Sequence, residues 1–170
     1  MRIILSLLLM TACGSASNMA EPTVSNEPAP TTGGADVDLQ LLEGIQVWKE
    51  DCQRYSSYNC ARLLESVDRI RVGRLEDGTL GQCNLWTLAL IVTRREVVIR
   101  PEIAANPAAL RAVLAHELGH CALLLNHVTS DASHLMAPYL SVDSTLEARL
   151  PAMLQRFYAD AQANTLPRIE

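Results

Sequence analysis

Ala115-His116-Glu117-Leu118-Gly119-His120-Cys121-Ala122-Leu123-Leu124-Leu125-Asn126-His127 is the stretch whose reading decides the rest of the chain. His116 and His120 stand four apart, so on a helix they share a face and aim two imidazoles at one point. Neutral imidazole is a good zinc ligand, and two of them hold an ion while leaving room for water and substrate. Glu117 belongs to the same end of that helix, placed to take a proton from a zinc-bound water. The plainer reading of HExxH is a buried structural helix with two hydrogen-bonded histidines. A metal site of this kind needs another protein ligand, and His127 follows His120 by seven residues. A straight helix would carry it round by ~340° but also ~10 Å along the axis, out of reach. The helix must therefore end after His120 and the chain fold back, with Asn126, which tolerates left-handed geometry, available for the turn.

Beyond His127 comes Ser133-His134-Leu135-Met136-Ala137-Pro138-Tyr139. HELGH, a nearby third His and Leu-Met-x-Pro together resemble the metzincin metalloproteases, most closely the matrixin-like branch. The resemblance runs from Ala115 to Pro138. It implies an α+β, metzincin-like zincin domain with a small twisted sheet, an active-site helix bearing HExxH, a tight Met-turn beneath the site and a C-terminal helix. It also implies one catalytic Zn2+ on His116, His120 and His127, with Glu117 as general base. Met136 matches the Met of the turn, and Pro138 the proline two residues later. Two departures are visible: the gap between the second and third His is one residue longer than usual, and no Gly lies within it. Some bacterial metallopeptidases with HELGHC, a spacer and His look similar. Certain metzincins have a zinc-touching Tyr one position earlier than Tyr139, so Tyr139 is not assigned that role.

At 170 residues, 49% hydrophobic and 19% charged, the chain has the make-up of a single globular domain. A net charge of −5 without a basic cluster points away from nucleic acid. With 2 Trp, 4 Tyr and 1 Phe the core must be mostly aliphatic. Residues 1–13 read as an export signal: Arg2, then the apolar run Ile3 to Met10, too short to span a bilayer. Met10-Thr11-Ala12-Cys13 resembles the end of a bacterial lipoprotein signal, with Met10 where Leu is usual. That implies a lipidated Cys13 and a membrane anchor, each buried methylene adding about 0.8 kcal/mol. An ordinary secretory signal cut nearby is the plainer alternative. Gly14 after Cys13, rather than Asp, fits outer-membrane sorting in a Gram-negative cell. Residues 14–36, rich in Pro, Ser, Thr, Ala and Gly, read as a disordered tether. The folded domain is expected over 37–170, as a monomer.

Leu39, Leu41, Leu42, Ile45, Val47 and Trp48 have helical spacing up to about Gln53, and a short helix is expected over Cys60–Val67. Arg69–Leu75 alternates like a strand, and Glu76-Asp77-Gly78-Thr79 supplies a turn. Leu85–Thr93 and Glu96–Arg100 read as a hairpin turning at Arg94-Arg95. Arg69, Arg71, Arg74, Arg94, Arg95 and Arg100 read as a solvated face. Asn106 and Pro107 cap and open the HExxH helix, whose buried face is Ala109, Leu110, Val113, Leu114, Leu118 and Ala122. Leu146–Ala163 forms a last amphipathic helix with Leu146, Leu150, Met153, Leu154 and Phe157 as its stripe. Four cysteines besides Cys13 in an exported domain argue for two disulfides, with three pairings open. Cys52–Cys60 is favoured for local closure, and Cys83–Cys121 for tying the sheet to the active-site helix. No pair has CxxC spacing, so a Cys-containing zinc site is disfavoured.

The expected function is a zinc-dependent endopeptidase acting on protein or peptide in the bacterial cell envelope. Two alternatives stay open. A gluzincin-type enzyme would take Glu147, the only Glu between Glu117 and Glu170, as third ligand, with His134 a weaker candidate. A non-catalytic zinc-binding envelope lipoprotein would need no Glu117.

Overall fold

The structure is a computed structural model that describes residues 35–89 and 91–169. The signal segment, Cys13 and the tether up to residue 34 lie outside the described residues. Asp36, assigned to the tether on composition, is instead the first residue of a strand. Among the described residues the domain is α+β, with four strands, five α-helices and one 3-10 turn. In chain order these are β1 (Asp36–Val37), α1 (Leu42–Tyr55), α2 (Cys60–Glu65), β2 (Arg69–Val72), β3 (Gly81–Leu88), β4 (Ile91–Ile99), α3 (Pro101–Ala104), α4 (Pro107–Cys121) and α5 (Leu146–Gln162). The sheet order is β1-β2-β4-β3, with β1, β2 and β4 parallel and β3 antiparallel on the edge beside β4. Among the described residues no helix is long and apolar enough to cross a membrane.

The helix α4 runs through the centre. Asn106 accepts the Ala109 amide at 3.2 Å and Pro107 occupies the first turn, the pairing of side-chain cap and fixed φ that starts a helix cheaply. Ala109, Leu110, Val113, Leu114, Leu118 and Ala122 are all buried, and so are Ala112, Ala115 and Cys121 on the remaining faces. From Ala112 to Gly119 every residue is buried, so this part of the helix has no solvent stripe. It is covered by Ile45 and Trp48 of α1, by Val97 and Ile99 of β4, and by Leu150, Leu154, Phe157 and Tyr158 of α5. Gly44 lets α1 approach, because a Cβ there would meet Leu110 Cδ2 at 2.7 Å.

The hairpin differs from its sequence reading. Its strands turn at Ala89, not at Arg94-Arg95, and Arg94 and Arg95 lie inside β4 opposite Trp86 and Leu85. The two arginines imitate a polar turn, but Arg95 crosses inward and donates to the Cys121 carbonyl at 2.9 Å and to Ser66. Arg71 pairs with the buried Glu96 at 3.0 Å, and Arg100 donates to the carbonyls of Leu75 and Glu76. Of the expected solvated arginine face, Arg71, Arg95 and Arg100 are thus tied to the protein, whereas Arg74 and Arg94 are exposed as expected. The expected turn at Glu76–Thr79 is present, with Gly78 at φ +87° and Thr79 N–H on the Glu76 carbonyl.

Both favoured disulfides are formed. Cys52–Cys60 joins the end of α1 to the start of α2. Cys83–Cys121 fastens β3 to the last turn of α4.

Candidate metal centre

His116, His120 and His127 converge. Their ligand atoms all lie within 4.8 Å of one another, with burial falling from His116 through His120 to His127. His120 Nε2 is 3.1 Å from His116 Nε2 and 3.1 Å from His127 Nε2. The other nitrogens are tied down: His116 Nδ1 donates to the Leu135 carbonyl at 2.7 Å, and His120 Nδ1 to the Leu125 carbonyl at 2.6 Å. Those two carbonyls select the Nδ1–H tautomer and leave each Nε2 with an unshared pair. Burial, with the charge of neighbouring histidines added, lowers His116 to about 4, and burial lowers His120 to about 4 against the pull of the Leu125 carbonyl. Burial lowers His127 too. His116 and His120 therefore turn unprotonated Nε2 atoms toward each other and toward His127 Nε2, an arrangement that suits a shared cation. The trio can hold a metal ion.

The third histidine is delivered by a break that the sequence marks poorly. After Cys121 the Leu123 amide bonds back to the Leu118 carbonyl and the Leu125 amide to the Gly119 carbonyl. Leu124, not Asn126, takes the left-handed conformation, at φ +54°. Asn126 acts instead through its side chain, accepting the His127 amide at 2.8 Å. The loop is held from outside by the C-terminal tail: Asn126 N–H bonds to the Pro167 carbonyl at 2.7 Å, and Ile169 N–H to the Leu124 carbonyl at 2.8 Å. Nothing in the composition of Pro167-Arg168-Ile169 announces that role; Leu124 and Leu125 ahead of the third His were the available signal.

Beneath the trio lies the turn at Ser133–Pro138. Ala137 N–H bonds to the His134 carbonyl, and Val128 N–H to the Met136 carbonyl, so this turn and the His127 loop are fastened together. Met136 is fully buried against Gly119, where a Cβ would meet its Sδ at 2.7 Å. His134 is buried as well. Its Nδ1 accepts the Met136 amide at 3.0 Å and its Nε2 is 3.4 Å from Asp160 on α5, so it braces the turn and is no ligand. Glu147 is also apart from the trio, lining a separate cavity with Gly44 and Arg111 at the start of α5.

Glu117 is buried next to the trio, on a cleft of about 880 Å³ that also takes in Gly81, Leu85, Pro138 and the exposed Tyr139. Burial pushes its carboxyl up to about 8, with the Cys83 amide of β3 pulling the other way. Sequence reading missed β3's share in this. A Cβ on Gly81 would meet Glu117 Cγ at 2.8 Å and Oε1 at 2.9 Å, so the strand must open with glycine for the carboxylate to fit. Glycine within a strand pattern is a known sign of such close approach, but the strand was expected to begin only at Leu85. No family model, curated protein or solved structure matches this chain.

Proposed function

We propose that the chain is a zinc-dependent endopeptidase of metzincin type, acting on polypeptides in the bacterial cell envelope and anchored there by lipid on Cys13. The observation that carries this is the convergence of the three Nε2 atoms beside a buried carboxylate on an open cleft. Nitrogens sharing one tetrahedral zinc at ~2.0–2.1 Å stand ~3.3–3.4 Å apart. The 3.1 Å separations about His120 are close to that spacing. Three neutral imidazoles leave a coordination position open, as catalytic rather than structural sites do.

When bound, zinc supplies a Lewis acid that polarises the scissile carbonyl and acidifies water. The chain's own residues do the rest. Glu117 takes a proton from the attacking water and passes it to the leaving amine, and a carboxyl raised to about 8 suits a group that must both accept and return a proton. A neighbouring cation lowers that value and favours the base form. The Leu135 and Leu125 carbonyls keep His116 and His120 in register. Gly81, Gln82, Cys83 and Leu85 bring the free edge of β3 along the cleft, a template for an extended peptide. The buried Met136 and Pro138 after it play the Met-turn, and α5 the C-terminal helix. Two disulfides suit an exported protein.

The test is zinc content by elemental analysis and peptide-bond hydrolysis, on the native chain, His127→Ala and Glu117→Gln. The reading expects one zinc per chain, lost or much weakened in His127→Ala. Glu117→Gln should keep the zinc and lose about 10²–10⁴ in rate. Full zinc affinity in His127→Ala would remove the third ligand from the proposal. Zinc bound with no hydrolysis would leave a metal-binding lipoprotein, and hydrolysis indifferent to Glu117→Gln would remove Glu117 from the mechanism.

A further inference from the structure

The β3–β4 hairpin ends in an apolar tip turned to solvent. Trp86 is 42% exposed, Leu88 72% and Ile91 68%, and none of them belongs to the core. From Gln82 to Arg95 the sequence has two arginines and no acidic residue, in a chain of net charge −5. Arg95 is turned inward, whereas the exposed Arg94 lies over the Trp86 ring at 5.1 Å. The tip is thus uncharged at its apex and cationic at its base.

The turn has a steric cost. Ala89 stands at φ +49°. Two-residue hairpin turns reach positive φ with least strain using Asn-Gly or Asp-Gly, which would also be the more soluble choice. Here the run is Leu88-Ala89-Leu90-Ile91. Neither backbone comfort nor solubility accounts for it, and strained backbone of this kind tends to mark function.

We propose that this tip docks the domain on an anionic lipid bilayer. Leu88, Ala89 and Ile91 enter the acyl boundary, Trp86 lies at headgroup depth, and Arg94 meets lipid phosphate. A protein partner fits less well. Stable protein interfaces take about 800 Å² from each side, and the end of one hairpin presents a point rather than a face. A bilayer accepts a point, and the tryptophan–arginine collar under an apolar apex complements its layered polarity. Leu88 is five residues along β3 from Cys83, whose amide meets Glu117. At ~3.4 Å per residue the tip and the carboxylate are roughly 17 Å apart along the strand, so a docked domain presents its cleft near the headgroups. The proposal is independent of whether the cleft hydrolyses anything.

The chain carries its own probe, since its two tryptophans are the buried Trp48 and the exposed Trp86. Full-length protein is mixed with phosphatidylethanolamine–phosphatidylglycerol vesicles whose acyl chains are brominated, and tryptophan emission is read. Quenching is expected, absent in Trp86→Phe, and needing at least about tenfold more lipid in Leu88→Asn/Ile91→Asn. Three results would overturn the idea. Emission could stay unquenched in protein that sediments with the vesicles through its N-terminal segment. Quenching could persist unchanged in the double variant. Or Trp86 could become shielded without vesicles as protein concentration rises, which would give the tip to a second copy of the chain.

Discussion

Freed of metal by a chelator, with its disulfides intact, the domain should be most stable near pH 6.5, and Glu117→Gln should remove the decline on the alkaline side. The sign follows from which state binds the protons. Glu117 is raised from 4.5 to about 8 by burial, so its contribution is complete below pH 4.5 and is lost as pH climbs to about 8. His116 and His120 are lowered from 6.5 to about 4, so theirs is complete above pH 6.5 and lost as pH falls to about 4. One proton of difference is worth about 1.4 kcal/mol per pH unit. Between pH 6.5 and 8 only Glu117 counts, and stability falls by about 2 kcal/mol. Between pH 4.5 and 6.5 the two histidines outweigh it by one proton, and stability rises by about 3 kcal/mol. Burial also lowers His127 and His134, which steepens the acid side. Asp131 and Asp143, held low by Ser133 and Thr145, act below this window, and Tyr58 and Tyr158, pushed up by burial, act above it. The assay is urea unfolding at pH 5, 6.5 and 8 in chelator. Glu117→Gln should climb to pH 6.5 and then stay level, so that its advantage over the native chain grows by about 2 kcal/mol by pH 8. A native curve that is flat above pH 6.5, or a variant that still declines, would refute the buried-carboxyl reasoning.

Further perturbations separate platform from chemistry. Cys83→Ala with Cys121→Ala opens a loop of 38 residues, and chain entropy then puts the loss near 4 kcal/mol in denaturant unfolding. Gly81→Ala places a Cβ 2.6 Å from Val113 Cγ1 and 2.8 Å from Glu117 Cγ, so zinc content should hold while hydrolysis falls about tenfold or more. Ending the chain at Leu166 deletes the bonds from Pro167 and Ile169 to the His127 loop; zinc affinity by competition titration should drop about tenfold, with α5 circular dichroism intact.

How far the sequence reached depended on whether a residue's partner was local. The HExxH helix, its Asn106–Pro107 start, the Glu76–Thr79 turn and the stripe of α5 all answer to neighbours within a turn or two, and each is where its pattern places it. The disulfide pairs also came out, because Cys52 and Cys60 are close in sequence and Cys83 and Cys121 were the remaining pair. The errors share a cause. Arg94-Arg95 looked like a turn because the tertiary acceptor of Arg95, the Cys121 carbonyl, is 26 residues away. Gly81 was passed over because its reason is Glu117, on another element. The tail that steadies His127 has no local pattern at all, since its purpose is a two-residue bridge to Leu125.

Two of the strained positions tie the candidate site to the candidate docking element. Leu124 and Ala89 both hold left-handed backbone with a Cβ in place, at about 1–2 kcal/mol each relative to the relaxed conformation. Glycine at either position would relieve the strain but would give up something specific. At 124 it would loosen the segment that must leave α4 and return His127 within 3.1 Å of His120. The conformational freedom that glycine adds to the unfolded chain works against that ordering. At 89 it would relax the turn while removing apolar surface from the apex of the hairpin. The same substitution therefore discriminates between the two sites. Leu124→Gly should change zinc affinity and leave vesicle quenching of Trp86 alone. Ala89→Gly should leave zinc untouched and weaken quenching slightly, because a single methyl accounts for only about 0.8 kcal/mol of transfer. If either variant moved both readouts, the cleft and the tip would be mechanically coupled through β3, and the two proposals would have to be treated as one.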